Sequence, residues 1–419
     1  MSPARRGRPP RAASALWPRA ALRTDEDFDA ERRVTWLELF FDLVFVVVLS
    51  RLAHDLALHV GSSGLTDFVI QFAAVFWAWN AFTYYVERFE SGGLENRVFV
   101  FSAMAAVAAL AVWTEAGLGA HYRGFAAAYV ATRFVNMVQW VRAARHVPIF
   151  RPVASRFVIG FSLVTALIVL AGSVDGDARR LVFAIAVFVD IATPAFTLNV
   201  QATLPQVSTS KFPERFGLFT IVVLGESVVG VITGLSELNE AGELGSTQLA
   251  SGGLGLAVGI GLWWIYFDFV ARRAPKPRLD AVLAWVYLHL VTLGAITAAG
   301  ASISAAIGDR DGRGLSAPVR HLLGGSVAAA LLGIALLEVT LRRRDDEPTH
   351  ARFSPGLKAV VAVAIGGAAW IDLGWTTTGL LATLVTGLAI PAAYGVAVWY
   401  APTNAQRPKD RPALDEATR

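Results

Sequence analysis

A handful of ionisable residues in this chain stand inside stretches that are otherwise apolar, and their spacing is the first guide to chemistry. Glu38 and Asp42 are four residues apart, so on a helix they stand nearly one above the other. Two carboxyls that close make a proton-carrying pair. The plainer reading sets Glu38 at the water interface as a partner for the helix N-terminus and lets Asp42 pack two helices through an arginine. Glu226 falls in mid-stretch between Gly225, which would let a neighbouring backbone approach closely, and Ser227. It is the foremost candidate for transport or ion coupling, with an ion pair to Arg133 as its structural alternative.

Asp190 lies four residues before Pro194, which has no N–H and so frees the Asp190 carbonyl from its helical partner. A freed carbonyl beside a carboxylate suits cation coordination, and it equally suits a kink with a hydrogen-bonded acid. Arg133, with Tyr129 and Asn136 at helical spacing, is the one basic residue read as intramembrane. Its fork can hold Asp42, Glu226 or a substrate carboxylate, and an internal pair is the favoured choice. His54 is a candidate proton relay near neutral pH. His54 and His289 otherwise read as polar packing groups, and Asp268 as interfacial.

Enzymatic motifs are missing. The chain has no HExxH, P-loop or GxSxG, and no GxGD paired with a YD. Gly61-Ser-Ser63-Gly64 matches the GxSG of intramembrane serine proteases, but no later helix supplies a suitable histidine, so it is a chance match. Cysteine is absent, which excludes disulfides, zinc–thiolate and iron–sulfur sites. No cofactor, metal or nucleic-acid partner is expected.

The elements that must position these residues are membrane helices. Of the 419 residues 55% are hydrophobic and only 17% charged, and the mean hydropathy is +0.51; a soluble domain is about a quarter charged. Twelve apolar runs of roughly 20 residues each fall near 35–53, 66–86, 98–118, 124–141, 156–174, 181–200, 215–235, 253–271, 281–304, 320–341, 357–374 and 376–400. Of the 37 Lys and Arg residues, 29 lie in the tails and loops on one side of these spans, 7 on the other, and Arg133 inside one. Positively charged loops stay cytoplasmic, so both termini are expected there. Residues 1–33 read as a disordered cytosolic tail and 401–419 as a second tail. Asp25, Glu26, Asp27 and Asp29 argue against a mitochondrial leader.

The two halves, 34–202 and 203–400, resemble each other. Glu38-Leu-Phe40 aligns with Glu214-Arg-Phe216, the aromatic clusters at Trp77-Ala-Trp79 and Trp263-Trp264 follow, and each half closes on a helix interrupted by proline, at Pro194 and at Pro391. Six spans per half is an even number, so the repeats are expected to run parallel. Gly252, Gly253, Gly255, Gly259 and Gly261 indicate close helix packing rather than nucleotide binding. The tryptophans read first as interfacial anchors.

Two stretches are distinctive enough to carry a resemblance. Val34-Thr-Trp-Leu-Glu38-Leu-Phe-Phe-Asp42-Leu-Val-Phe-Val, with His54 beyond it, resembles the opening signature of the bacterial low temperature requirement protein A family. Pro213-Glu214-Arg215-Phe216-Gly-Leu-Phe-Thr-Ile-Val-Val-Leu-Gly225-Glu226-Ser227 resembles its second signature. The Arg133 helix with Arg142-Ala-Ala-Arg145, and Tyr287-Leu-His289-Leu, fit as well. The resemblance covers about residues 33–400 and implies a polytopic bacterial membrane protein. It brings no established reaction or substrate.

The expectation from sequence is therefore an all-α, twelve-span inner-membrane protein of two six-helix halves, in contact with the lipid bilayer. It would move a small solute or ion with proton coupling, with Asp42, Glu226, Glu38 and Asp190 binding protons or cations and Arg133 with Asn136 balancing charge or anchoring substrate. A membrane-embedded regulator or assembly protein without a transport path, or an ion channel, is the alternative.

Overall fold

Backbone polar groups inside a bilayer must be satisfied within the segment, so long apolar runs fold as helices. The computed structural model describes residues 17–22, 35–90, 93–202, 204, 212–271, 273–309, 314–343 and 347–399. Among them are twelve long helices: α1 Trp36–Leu58, α2 Ser62–Arg88, α3 Leu94–Trp113, α4 Tyr122–His146, α5 Arg151–Ala171, α6 Gly176–Ala192, α8 Phe212–Glu240, α9 Ser246–Tyr266, α10 Leu279–Gly308, α11 Ala317–Thr340, α12 Phe353–Trp370 and α13 Thr377–Trp399. A four-residue helix, α7 (Leu198–Gln201), follows the break after α6. Each span expected from sequence has its helix.

Ten of these helices are long and apolar enough to cross a membrane. The other two, α1 and α4, are long enough but carry polar residues that the bundle buries: Asp42 on α1, and Arg133, Asn136 and Gln139 on α4. The outer surface is apolar, with Leu43, Val112, Phe188, Val228 and Val363 all at least half exposed in the absence of lipid. A surface of that kind belongs against acyl chains. The molecule is a multi-pass membrane protein.

Local signals set the helix ends. Thr35 caps α1 by accepting from the Glu38 N–H, while the Glu38 carboxylate accepts from the Thr35 N–H, a reciprocal capping box. Glu38 is thus the partner of a helix N-terminus, as the plainer reading had it. Proline opens α5 and α11, and Gly374, at φ +67°, turns the chain between α12 and α13.

Within the first half α1 packs on α2 and α3, α3 on α4, α4 on α5, α5 on α6, and α2 on α4 and α6. Within the second, α8 packs on α9 and α10, α10 on α11, α11 on α12, α12 on α13, and α9 on α11 and α13. The halves meet where α1 packs on α8 and α10, and α2 on α10. Small residues permit the tightest approaches. A Cβ on Gly300 would stand 2.8 Å from the Glu226 carbonyl carbon, and one on Gly259 2.9 Å from the Ser227 Cβ.

Three expectations need correction. Part of the tail read as disordered is ordered: Ala21–Leu22 pairs antiparallel with Phe89–Glu90, Ala20 is buried with its N–H donating to His146 Nδ1, and Arg142 donates to the Pro18 carbonyl. The remaining residues of 1–33, and 401–419, lie outside the described residues. Pro391 does not break its helix; it is buried inside an uninterrupted α13, where one lost hydrogen bond is tolerated amid packed neighbours. Gly225 receives no close neighbour, since nothing lies within 4 Å of the Cβ position there. The contact is made instead through Gly300 of α10.

Candidate functional site

Pro194 ends α6, and two aromatic side chains take the carbonyls left over. Trp77 Nε1 on α2 donates to the Asp190 carbonyl at 2.9 Å, and the Tyr287 hydroxyl on α10 donates to the Ile191 carbonyl at 2.9 Å. The two rings stack, with centroids 5.6 Å apart. The chain then turns through Ala195–Thr197 into α7, tied down by Arg156, which donates to the Phe196 carbonyl and to Asn199.

The Asp190 carboxylate is buried against α4. Tyr129 donates to its Oδ2 at 2.6 Å, and Arg133 reaches the same oxygen at 3.2 Å. Oδ1 and the Arg133 Nη2 have no hydrogen-bond partner among the described residues. Arg133 thus pairs with Asp190, not with Asp42 or Glu226, because α4 packs on α2 and α5 on the far side of the first half from α8. Of the two readings of the break, the hydrogen-bonded acid is the one observed, since an indole already occupies the freed carbonyl. Asn136 is buried on the same face of α4, 3.5 Å from Gln139 Oε1.

A cavity of about 360 Å³ reaches this pair. It is lined by Trp77, Asn80, Tyr84 and Arg88 of α2, Trp140 of α4, Phe157 and Phe161 of α5, Asp190 and Pro194, Gln201 of α7 and Val282, Leu283 and Val286 of α10. From Arg88 to Trp77 the helix rises about 16 Å, so the cavity runs from the Lys/Arg-rich end of the bundle to mid-helix. The exposed Arg278, paired with Asp280 at 2.7 Å, stands at its rim.

Asp42 has a different role. Trp79 Nε1 donates to its Oδ1 at 2.7 Å, and Arg215 on α8 donates to the same atom at 3.0 Å, to Thr83 at 3.3 Å, and lies 3.6 Å from Glu38. The guanidinium stands between the two acids expected to repel each other, so the cluster is an ion-paired clamp between halves. Packing through an arginine is correct, but the arginine is Arg215.

Glu226 is buried with no ion pair among the described residues, and its Oε1 has no hydrogen-bond partner. Ser50 of α1 is its polar neighbour, and Ser227 Oγ is likewise unpartnered. His54 is exposed on α1 and joins none of these clusters. His289 is buried and satisfied, between the Trp285 carbonyl at 2.8 Å and the Tyr266 hydroxyl at 3.0 Å. Asp268, near the end of its span as expected, is buried and accepts from Trp264. Trp263 and Trp264 face outward, whereas Trp77 and Trp79 are core.

Arg133 is not alone inside the bundle, because Arg215 and Lys358 are buried too. Lys358 pairs with Glu338 at 2.8 Å beneath the Phe269 ring, and Arg273 joins Glu338 at 3.3 Å and Glu347 at 3.4 Å. Lys358 and Arg215 each stand at the edge of an apolar run, 357–374 and 215–235, where a basic residue reads as a loop charge. Among the described residues no three His, Cys, Asp or Glu side chains gather to hold a metal.

The family model for the bacterial low temperature requirement A protein (LtrA) matches residues 33–411, nearly the whole chain. The chain belongs to the low temperature requirement A family. A protein of Rhizobium meliloti (strain 1021), described as uncharacterized, is 23% identical over 296 residues, covering 66% of this chain and 70% of its own length. No solved structure matches. In this member of the family the two signature segments hold each other: Asp42 comes from the first and Arg215 from the second.

Proposed function

We propose that the protein is a secondary transporter of the bacterial inner membrane that moves a small solute or ion with proton coupling. The observation that carries this reading is the cavity that ends in mid-bundle on a buried acid at a broken helix. Discontinuous helices at the midplane are where secondary transporters place their binding sites. The Lys/Arg bias favours cytoplasmic termini, which opens the cavity to the cytoplasm.

The mirrored helix neighbours of the two halves support two parallel six-helix repeats, with α1 to α6 corresponding to α8 to α13. Rocking of one repeat against the other would expose the cavity alternately. Asp190, paired with Arg133 behind it, forms its polar floor, and Glu226, a buried carboxyl that no cation neutralises among the described residues, can take up and release a proton without breaking an ion pair. Asp42 and Glu38 serve the clamp between halves rather than the coupling. A regulator needs no cavity of this size, and a lining that starts at one end and stops at Trp77 and Asp190 favours a carrier over an open pore.

The test uses proteoliposomes with an internal pH dye, together with the chain's lack of cysteine. Proton flux under an imposed gradient, assayed with a panel of small solutes, is expected in the wild type and lost in Glu226→Gln. A single Leu283→Cys should react with an impermeant maleimide from the cytoplasmic face. Equal flux with and without Glu226 overturns the coupling, absence of flux with every solute overturns transport, and labelling from the opposite face overturns the orientation.

A further inference from the structure

The cavity carries a charge that meets no opposite charge among the described residues. Arg88, at the α2 end of the lining, is 4% exposed, forms no ion pair among the described residues, and its Nε has no hydrogen-bond partner. Its guanidinium lies over the Phe150 ring at 5.2 Å. The other charges facing the cavity are compensated: Asp190 by Arg133 at 3.2 Å, and Arg278 by Asp280 at 2.7 Å. One uncompensated positive charge remains, and a buried charge left without a partner is costly.

The walls beside Arg88 are flat and aromatic. Trp140 stacks on Phe157 with centroids 4.3 Å apart and faces Tyr84 at 6.0 Å, while Phe161 and Trp77 continue the surface inward. Hydrogen-bonding groups are few along it: Asn80, and Gln201, whose Oε1 is taken by the Tyr84 hydroxyl at 2.6 Å. A volume of about 360 Å³ falls at the small end of ligand sites, which span roughly 300–1,000 Å³.

Resting on the transport reading above, we infer that the solute bound in this cavity is a small organic monoanion with a flat apolar body, its carboxylate held by Arg88 and its body against Trp140, Tyr84 and Phe157. Guanidinium and carboxylate match as a two-pronged fork. An organic cation is disfavoured, because the single acid of the lining is already spoken for by Arg133. A large polar solute would leave its hydroxyls unpaired against the aromatic wall.

Binding to the full-length protein in nanodiscs decides this, with three near-isosteric probes: benzoate, benzamide and benzylammonium. Benzoate should bind at least tenfold more tightly than either of the others, and acetate, which lacks the flat body, should bind at least tenfold more weakly than benzoate. Arg88→Gln should weaken benzoate at least tenfold, and Arg88→Lys should weaken it less. The wild-type ranking of the probes stands without any variant, so misfolding of Arg88→Gln does not rescue the inference. Benzamide or benzylammonium binding as tightly as benzoate, benzoate binding at full strength to a folded Arg88→Gln, or no benzoate binding overturns it. Uphill flux separates this inference from the one beneath it. Benzoate bound but never moved against a gradient defeats the transporter reading and leaves the anion site. Proton-driven movement of another solute without benzoate binding defeats the anion site alone.

Discussion

Arg215 donates to Asp42 Oδ1 at 3.0 Å, so two segments 173 residues apart in the chain close on each other inside the bundle. Trp79 and Thr83 of α2 complete the arrangement, which fastens α1 and α2 of the first half to α8 of the second.

Removing one partner of this clamp strands the other as a buried, uncompensated charge, which costs about 3–5 kcal/mol. Asp42→Asn and Arg215→Gln should each lower the thermal midpoint in nanodiscs sharply. The double variant, which strands neither buried Asp42 nor buried Arg215 and leaves Glu38 with its capping hydrogen bond from the Thr35 N–H, should be the more stable of the three. If it melts below both single variants, the clamp does not hold the halves through its charges.

The Trp77 indole answers the carbonyl that Pro194 leaves behind. Trp77→Phe keeps the ring and its stacking on Tyr287 but removes the donor, so a loss of about 1–3 kcal/mol is expected. Restoring the helical donor should compensate, and Pro194→Ala combined with Trp77→Phe should recover much of the stability in a thermal melt. Equal midpoints for wild type and Trp77→Phe would mean that the carbonyl needs no such partner.

Two glycines of the α8–α10 region should respond oppositely to alanine. Gly300→Ala pushes a methyl to within 2.8 Å of the Glu226 main chain, where backbone must move, and overpacking of this kind costs about 1–3 kcal/mol. At Gly225 nothing lies within 4 Å, so Gly225→Ala should leave the midpoint unchanged or raise it slightly through helix propensity. Parallel melts of the two variants check the contrast.

In the connection between α12 and α13, the Gly374 N–H and the Arg320 guanidinium hold the Asp372 carboxyl below its usual range. A carboxyl depressed in the folded state adds stability above its unfolded value, and that stability is lost as pH falls through the folded value. Asp372→Asn should therefore melt slightly below wild type at neutral pH. The difference should vanish in acid, which a series of melts across pH would follow.

The sequence alone determined the helical, membrane-spanning architecture, because long apolar runs in lipid fold as helices, and the family through its two signature segments, while the end of α6 and the start of α9 fell seven or eight residues from where it placed them. It also marked the acids worth attention and the break at Pro194. Partner choice was decided only by tertiary structure. Arg133 could reach any of several carboxylates on paper, and it meets Asp190 because α4 and α6 both pack on α2 and α5, whereas α8 delivers Arg215 to Asp42. Both the cavity and the setting of Arg88 within it arise from six helices that come from both halves of the chain. Periodicity along one helix carries no record of which neighbour stands opposite, and a buried charge is defined by that neighbour.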